Sequence, residues 1–362
     1  MLSRAGVTQN SALSTQHCDN KAVIEQFLQN EIEVGTFPSA TYAIGSFDRI
    51  EREGALGNAV SVPLRLPARV RTLYDCASIT KPLITTTLVL QAVAEGRLSL
   101  DATVLDYPHT VRQLLTHTSG LIDWLPLYAF EDPLNEIRKR VVYEAGTRVL
   151  YSDVGFVLLW MQLEALYGDC ESLAFERIFS RLKLDDAMFR PPATLRPRIA
   201  ATEWGQRFEA QMARDRGFPL SPQLRETLMW GDVNDSVAYH FGNGAAGNAG
   251  LFATARAVFR LAQAWARAEL VPRELVGEAT RNQTASLNES RGFSWIVGSG
   301  AEPAQPLSAR AFGHTGFTGT SVWIDPDRER IFVLLTNRIH PCSAPVAIQR
   351  VRREFHRAAI EN

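Results

Sequence analysis

The chain has 362 residues, of which 46% are hydrophobic and 21% charged, and its formal net charge is -1. These values are typical of an ordinary globular protein with one large domain or two. The balanced charge argues against binding to nucleic acid or to an acidic membrane surface.

The N-terminal twenty residues are polar and lack the apolar core of about 7–15 residues that a secretory signal needs. We therefore expect a cytoplasmic protein, unless the sequence is a trimmed mature form. No run approaches the roughly 18 apolar residues of a membrane span. Neither C-x-x-C nor H-E-x-x-H spacing occurs, so we expect no metal and no cofactor.

Apolar patterns predict the first elements in chain order. Segment 21–33 is amphipathic and predicts a helix, 39–46 predicts a strand, and 50–63 predicts a weaker hairpin. A long apolar helix is expected from about residue 78 to 95, with Gly96 as its stop.

The middle of the chain, from about residue 100 to 287, is predicted to be mostly helical. Its clearest helices are 154–166 and 251–270. The stretch 191–248 is irregular and long enough to be a functional loop region.

Strands return near the C-terminus, at 293–298 and in a hairpin formed by 321–325 and 331–336. A last helix is expected over about 344–360. Strands at both ends with helices between them predict one sheet built from the two termini, with an inserted helical region.

Ser78-x-x-Lys81 is the first motif that carries chemistry. On a helix, residues three apart share a face, so the hydroxyl and the amine can touch. A partly desolvated lysine beside a helix N-terminus has a lowered pKa, and its neutral form can take the proton of a serine. The N–H of Ser78 at the helix start can also serve an oxyanion hole.

The motif alone is weak, because on the order of 0.2 matches are expected by chance. Ser180-x-x-Lys183 is a second match, but it lies late in a helix and is interpreted as surface. Cys76, two residues before Ser78, is interpreted as a buried, inert thiol.

Two further motifs follow in order: Tyr151-Ser152-Asp153 opens a helix, and His314-Thr315-Gly316 precedes the last hairpin. With them the chain resembles the penicillin-recognising serine hydrolases, which include class C β-lactamases, D-alanyl-D-alanine peptidases and related esterases. Their motifs are Ser-x-x-Lys, Tyr-x-Asn and Lys/His-Thr/Ser-Gly. Segments 114–121, 250–255 and 335–338 agree with the same family.

The resemblance implies a β-lactamase-like α/β (α+β) fold with a five-stranded antiparallel sheet flanked by helices. We expect the sheet domain to comprise residues 1–75 and 288–362. Residues 76–287 would form a mainly helical domain, with the catalytic cleft between the two.

The resemblance also implies catalytic roles. Ser78 would be the nucleophile, and Lys81 and the Tyr151 phenol would share the general-base and general-acid work. The backbone N–H groups of Ser78 and Phe317 would form the oxyanion hole. His314 stands where many relatives have lysine and is expected to titrate near neutrality as a fourth catalytic residue.

The expected substrate-binding residues come from the motifs and from nearby loops. Thr315 and Gly316 would lie on the strand beside the site, and Trp124 and Trp230 lie in candidate cleft loops. Asp153 departs from the asparagine of β-lactamases. A carboxylate cannot donate to a substrate carbonyl, but it can hold Lys81 charged or receive a cationic amine.

Two patterns are interpreted as structural. His117 lies in a turn motif, and residues 242–247 match G-x-G-x-x-G without a clear strand before them or a βαβ repeat after them. We expect these glycines to let the loop turn tightly near the cleft.

The predicted function is that of a serine hydrolase acting through an acyl-enzyme on a small ester, D-amino amide or peptide. The alternatives are a weak β-lactamase, or a non-catalytic penicillin- or ligand-binding sensor acylated at Ser78. The expected partner is a small-molecule or peptide substrate. Segment 336–341 is similar to that of some cell-wall-related relatives, which makes peptidoglycan fragments a candidate.

Overall fold

The computed structural model describes residues 8–220, 223–341 and 348–361, with side chains from residue 21 onward. Ten strands are present in this part of the chain: β1 Ser39–Ser46, β2 Ile50–Val60, β3 Leu66–Pro67, β4 Tyr74–Asp75, β5 Ala187–Met188, β6 Phe252–Ala253, β7 Ile296–Val297, β8 Phe312–Thr315, β9 Ser321–Asp325 and β10 Arg330–Thr336.

Seven of these strands form one antiparallel sheet in the order β3-β2-β1-β10-β9-β8-β7. Strands from the two ends of the chain meet at its centre, where Ala43 of β1 pairs with Val333 of β10. The expected count of five strands was therefore wrong. Strand β3 has only two residues, and β8 carries Gly313 and the polar pair of the third motif, so no apolar run marks either one.

Both faces of the sheet are covered, which explains why β1 is buried along almost its whole length. Tyr42 and Ile44 point to one side and belong to a core cluster with Phe355 of the last helix. Ala43 points to the other side, into the main core with Phe259. Alternate residues of a strand thus enter two separate cores.

The α-helices of the described residues are α1 Thr8–Glu33, α2 Thr87–Ala94, α3 Val111–Leu115, α4 Pro133–Arg138, α5 Asp153–Tyr167, α6 Cys170–Ala174, α7 Ser180–Leu182, α8 Arg207–Asp215, α9 Ala255–Arg267, α10 Arg273–Thr280 and α11 Gln349–Glu361. The predicted helix 154–166 is confirmed as α5. The predicted helix 251–270 is shorter, because 252–253 pair as β6. The expected start of the last helix at residue 344 lies outside the described residues.

The helix that carries the first motif begins irregularly. Ala77–Ile79 form a 3₁₀ turn, Lys81–Thr86 are π-helical, and regular α-helix starts only at α2. Gly96 ends it with a φ of +70°, as expected for a glycine stop.

The stretch Ala77–Ala94 is also long and apolar enough to cross a membrane, contrary to the expectation that no run approaches that length. It is a core element, since 83% of this window is buried inside the protein.

Candidate active site

The side chains of Ser78 and Lys81 meet as their spacing predicts. The Nζ of Lys81 donates to the Oγ of Ser78 at 2.9 Å. Lys81 also donates to the carbonyl of Asn248 at 2.9 Å, and its Nζ lies 2.6 Å from Oδ1 of Asp153. These three oxygens match the three N–H bonds of an ammonium group, so the surroundings of Lys81 fit its charged form.

The charge state of Lys81 corrects the expectation of a neutral amine. Lys81 is completely buried, and burial alone would lower its pKa. The opposite charge of Asp153 and the neighbouring Tyr151 raise the pKa by more than burial lowers it, so the net pKa of Lys81 is above its ordinary value. Asp153 holds Lys81 charged, which was one of the two roles considered for this carboxylate.

The phenol of Tyr151 lies beside this pair. The Nζ of Lys81 is 4.9 Å from the centre of the Tyr151 ring. The phenol oxygen is buried and interacts with Lys81 and Ser78, although it makes no hydrogen bond of ordinary length and angle among the described residues. Burial raises the pKa of Tyr151, and the nearby Lys81 and Ser78 oppose that rise without cancelling it. Tyr151 is therefore a neutral phenol at pH 7, with an oxygen free to exchange a proton.

The second motif positions these groups through a helix cap. Ser152 is the N-cap of α5, and its Oγ accepts from the N–H of Gly155 at 3.2 Å. Its own N–H donates to Nδ1 of His117 at 3.0 Å. The ring of His117 also packs on the Tyr151 ring at 4.6 Å between centres. His117 therefore helps to hold both Ser152 and Tyr151 in position.

His314 lies against Tyr151, with 5.9 Å between ring centres. Its Nδ1 is 2.9 Å from the carbonyl of Thr315, an acceptor, so Nδ1 carries the proton and Nε2 the lone pair. Burial, with the nearby charges of Arg291 and Lys81, lowers the pKa of His314 well below its usual value. The expectation that His314 titrates near neutrality was wrong, because the histidine is almost fully buried.

The two N–H groups expected to form the oxyanion hole belong to residues that line one cleft, Ser78 and Phe317. Neither N–H donates a hydrogen bond within the described part of the chain. The carbonyl of Phe317 accepts from Nε of Arg338 at 2.7 Å, which fixes the orientation of this turn.

Residues that the sequence analysis did not identify hold this turn in place. The Oγ1 of Thr320 donates to the carbonyl of Cys76, and the Oγ1 of Thr318 donates to the carbonyl of Asp75, both at 2.8 Å. The buried guanidinium of Arg352 donates to the carbonyls of Gly316 and Thr320 at 2.9 and 2.8 Å. In each contact a side chain donates to a main-chain carbonyl. Every residue has such a carbonyl, so the sequence gives no sign of these contacts.

Gly316 is required by the close approach of two segments. A Cβ at this position would lie 2.1 Å from Oγ1 of Thr320 and 2.7 Å from the carbonyl of Cys76. The third motif therefore needs glycine so that its strand can reach the segment that carries Ser78.

The cleft has a volume of about 700 Å³ and is lined from both the sheet and the helical region. Trp124, Asp153, Thr315 and Gly316 line it, as expected for substrate-binding residues. Trp230 does not line it; its indole N–H donates to the carbonyl of Ile199 at 2.9 Å. That tryptophan is a packing residue.

A second set of cleft residues was missed by the sequence analysis. Glu209 and Asp235 line the wall beside Asp153. Burial raises the pKa of Glu209 to about 8, and burial and the charge of Asp153 raise that of Asp235. Glu209 lies on α8 and Asp235 in a loop, and both belong to the stretch 191–248 that was predicted to be irregular. Carboxyls in such a stretch look like ordinary surface charges until the fold places them.

The glycine-rich stretch 242–247 packs closely against the helices around the site. A Cβ on Gly247 would lie 2.1 Å from the carbonyl of Phe156, and the carbonyl of Gly247 accepts from Oγ1 of Thr85 at 2.8 Å. This packing places the next residue, Asn248, against Lys81.

The rival nucleophiles lie elsewhere or are unreactive. Ser180 and Lys183 are both exposed, as expected for a surface match to the first motif. Cys76 is fully buried, and burial raises the pKa of its thiol well above the usual value. Among residues 8–220, 223–341 and 348–361, no group of three or more histidine, cysteine or acidic side chains is arranged to hold a metal.

Comparison with known proteins identifies the family of this chain. The family model described as Beta-lactamase matches residues 53–354. The chain is 27% identical over 369 residues to an N-acetylmuramyl-L-alanine amidase of Bacillus subtilis, covering 88% of this chain and 80% of the relative. It is 28% identical over 372 residues to a putative D-alanyl-D-alanine carboxypeptidase of Escherichia coli, covering 90% and 83%.

Among solved structures, the fold is similar to that of EstCE1, described as a hydrolase with promiscuous acyltransferase activity. The TM-score is 0.72 at 18% identity, covering 95% of this chain and 99% of that chain. The match of the family model to most of the sequence, together with the arrangement of the three motifs, shows that this chain belongs to the β-lactamase family of serine hydrolases.

Proposed function

We propose that this protein is a serine hydrolase that forms an acyl-enzyme at Ser78 and acts on an amide or ester bond of a peptidoglycan-derived peptide. The observation that carries the proposal is the contact of Ser78 with Lys81 at 2.9 Å beside the buried Tyr151 phenol. A nucleophile and a proton carrier that line one cleft, with a buried cation in contact with the nucleophile, are the components that acyl transfer requires.

The charge states suggest how the proton moves. One proton first leaves the coupled pair of Lys81 and Tyr151 to solvent, which leaves Tyr151 as a phenolate stabilised by the Lys81 cation. Because Lys81 donates to Oγ of Ser78, the proton of Ser78 then moves to this phenolate. The Oγ–H bond breaks as the bond from Oγ to the substrate carbonyl carbon forms. Tyr151 then gives this proton to the leaving amine or alkoxide as its bond to carbon breaks. Water repeats the sequence on the acyl-enzyme.

The negative oxygen of the tetrahedral intermediate would accept from the N–H groups of Ser78 and Phe317. These donors make no other hydrogen bond within the described residues, so they need not give up a partner when the substrate arrives. Donors that are already oriented cost no reorganisation during the reaction.

The substrate class rests on two observations. Curated relatives are named for cell-wall amide bonds, an N-acetylmuramyl-L-alanine amidase and a putative D-alanyl-D-alanine carboxypeptidase. The Asp153 carboxylate stands where β-lactamases have an amide that donates to substrate, which disfavours efficient β-lactam hydrolysis. We therefore place a peptide amide or a simple ester before a β-lactam.

Labelling and turnover test the proposal together. A fluorophosphonate should add to the protein once, and peptide mass spectrometry should locate the adduct at Ser78. Ser78→Ala should abolish labelling, whereas Ser180→Ala in the exposed second match should leave it unchanged. A label on any other residue would contradict the proposed nucleophile.

Turnover is then compared on a short p-nitrophenyl ester, a peptide ending in D-alanyl-D-alanine and a chromogenic cephalosporin. We expect hydrolysis of the ester and the peptide to exceed that of the cephalosporin. Faster cephalosporin turnover would favour a β-lactamase. A stable adduct without turnover of any substrate would indicate a sensor.

A further inference from the structure

Asp75 lies three residues before the nucleophile and is 2% exposed. Its two carboxylate oxygens bind two separate segments. Oδ1 accepts from the N–H of Ala77 at 2.9 Å, and Oδ2 accepts from the N–H of Asn234 at 2.6 Å. Its main-chain carbonyl accepts from Oγ1 of Thr318 at 2.8 Å. A single residue thus contacts all three segments that meet around Ser78.

Each of these segments carries a part of the cleft. Ala77 directly precedes Ser78, Asn234 precedes the cleft residue Asp235, and Thr318 follows the oxyanion residue Phe317. A shift of Asp75 would move several of these parts at once.

The backbone at Ala77 needs to be held. Its φ is +47°, in the left-handed region that residues with a Cβ rarely adopt. This turn sets the direction of the N–H and the side chain of Ser78. The hydrogen bond from its N–H to a buried carboxylate is charge-assisted and therefore stronger than a neutral one.

We propose that Asp75 is a positioning residue for the acyl-transfer step, which holds the left-handed turn at Ala77 so that the Ser78 hydroxyl and N–H face the Phe317 side of the cleft. The inference rests on the proposed acylation of Ser78. It adds a role for a carboxylate that lies outside the three family motifs.

The test is the variant Asp75→Asn, which keeps the shape but turns one acceptor into a donor that faces an N–H. We expect kcat for ester hydrolysis to fall about 30-fold, with KM changed less than about twofold. This loss is smaller than the roughly 10²–10³-fold cost of deleting an oxyanion-hole donor, because the N–H of Ser78 is displaced and not removed. The exposed Asp185→Asn is the matched control and should retain wild-type kinetics.

A double-mutant cycle with Ala77→Gly separates positioning from plain stability. Glycine adopts positive φ without steric cost, so the turn depends less on Asp75 in that background. We expect Asp75→Asn to lower kcat less than about fivefold relative to Ala77→Gly alone, a clear departure from additivity.

Additive losses in the cycle, or a wild-type kcat for Asp75→Asn, would overturn the inference. Failure of Asp75→Asn to fold in both backgrounds would also overturn it, because the residue would then serve stability alone. Fluorophosphonate labelling of the wild-type protein is run in parallel. If the wild type does not label at Ser78, the proposed function itself fails, which is distinct from failure of the role of Asp75.

Discussion

The two sides of the cleft are held by different kinds of interaction. On the proton-transfer side, Lys81, Asp153 and Tyr151 interact through charges in a buried setting, and each alters the pKa of another. On the oxyanion side, Thr318, Thr320 and Arg352 hold main-chain carbonyls by hydrogen bonds. The first side should therefore respond to pH and to charge changes, and the second mainly to loss of geometry.

The largest effect is expected from removal of the cation. Lys81→Ala should lower kcat/KM for ester hydrolysis by at least about 10³-fold, because the deprotonated Tyr151 and the Ser78 hydroxyl lose the charge that supports them. The exposed Lys183→Ala, in the second Ser-x-x-Lys match, is the control and should behave as wild type. Similar activities of the two variants would remove Lys81 from the mechanism.

A smaller loss is expected on the oxyanion side. Thr320→Val keeps the side-chain shape but deletes the hydrogen bond to the carbonyl of Cys76, so kcat should fall about tenfold at unchanged KM. Thr86→Val is the matched control, since the buried Oγ1 of Thr86 has no hydrogen-bond partner among the described residues. The pH profile of Thr320→Val should keep its wild-type shape. A shifted profile would mean that the two sides are not independent.

The pH profile sharpens the comparison for the charged side. Activity should rise with pH, because one proton must leave the coupled pair of Lys81 and Tyr151 before Ser78 can be activated. Asp153 raises the pKa of both groups. Asp153→Asn should therefore move the rising part of the pH profile to lower pH by about one unit. The measurement is kcat/KM of an ester from pH 5 to 10. If the rising part of the profile does not shift in Asp153→Asn, the role given to Asp153 is contradicted.

The smallest effect concerns stability. Burial raises the pKa of Glu209 to about 8, so the folded protein binds its proton more tightly than the unfolded chain does. The protonated Glu209 therefore adds to the free energy of unfolding. This stabilisation is fully present below the unfolded pKa of about 4.3 and is lost as pH rises toward 8. Glu209→Gln should therefore reduce the fall in free energy of unfolding between pH 5 and 8, by on the order of 1 kcal/mol.

Denaturant unfolding at several pH values measures this difference. The exposed Glu226→Gln, also within residues 191–248, serves as the control and should keep the wild-type pH dependence. An unchanged pH dependence in Glu209→Gln would show that Glu209 is already ionised in the folded protein.

Much of the charged side could be predicted from the sequence. The spacing of Ser78 and Lys81 is local, and helical geometry brings the two side chains together whatever the rest of the chain does. The cap at Ser152 is local too, and it places Tyr151 and Asp153 at the start of α5. The motif order then indicated the family, which the match over residues 53–354 shows.

The charge states were not predictable in the same way. His314 and Lys81 were both expected to titrate closer to neutrality than they do. The burial of His314 and the approach of Asp153 to Lys81 depend on contacts between segments far apart in the chain. A pKa reflects the sum of such surroundings, which no local pattern contains.

The sequence by itself determined the chemical groups and their local geometry: the serine, the lysine three residues later, the capped helix start and the glycine of the third motif. Only the tertiary structure decided which carboxyl faces Lys81, which hydroxyls hold the turn at Phe317, and that Trp230 lies outside the cleft. The reason is physical. Helical spacing and caps arise from neighbours within a few residues, whereas desolvation and hydrogen bonds to main-chain carbonyls arise only when distant segments pack together.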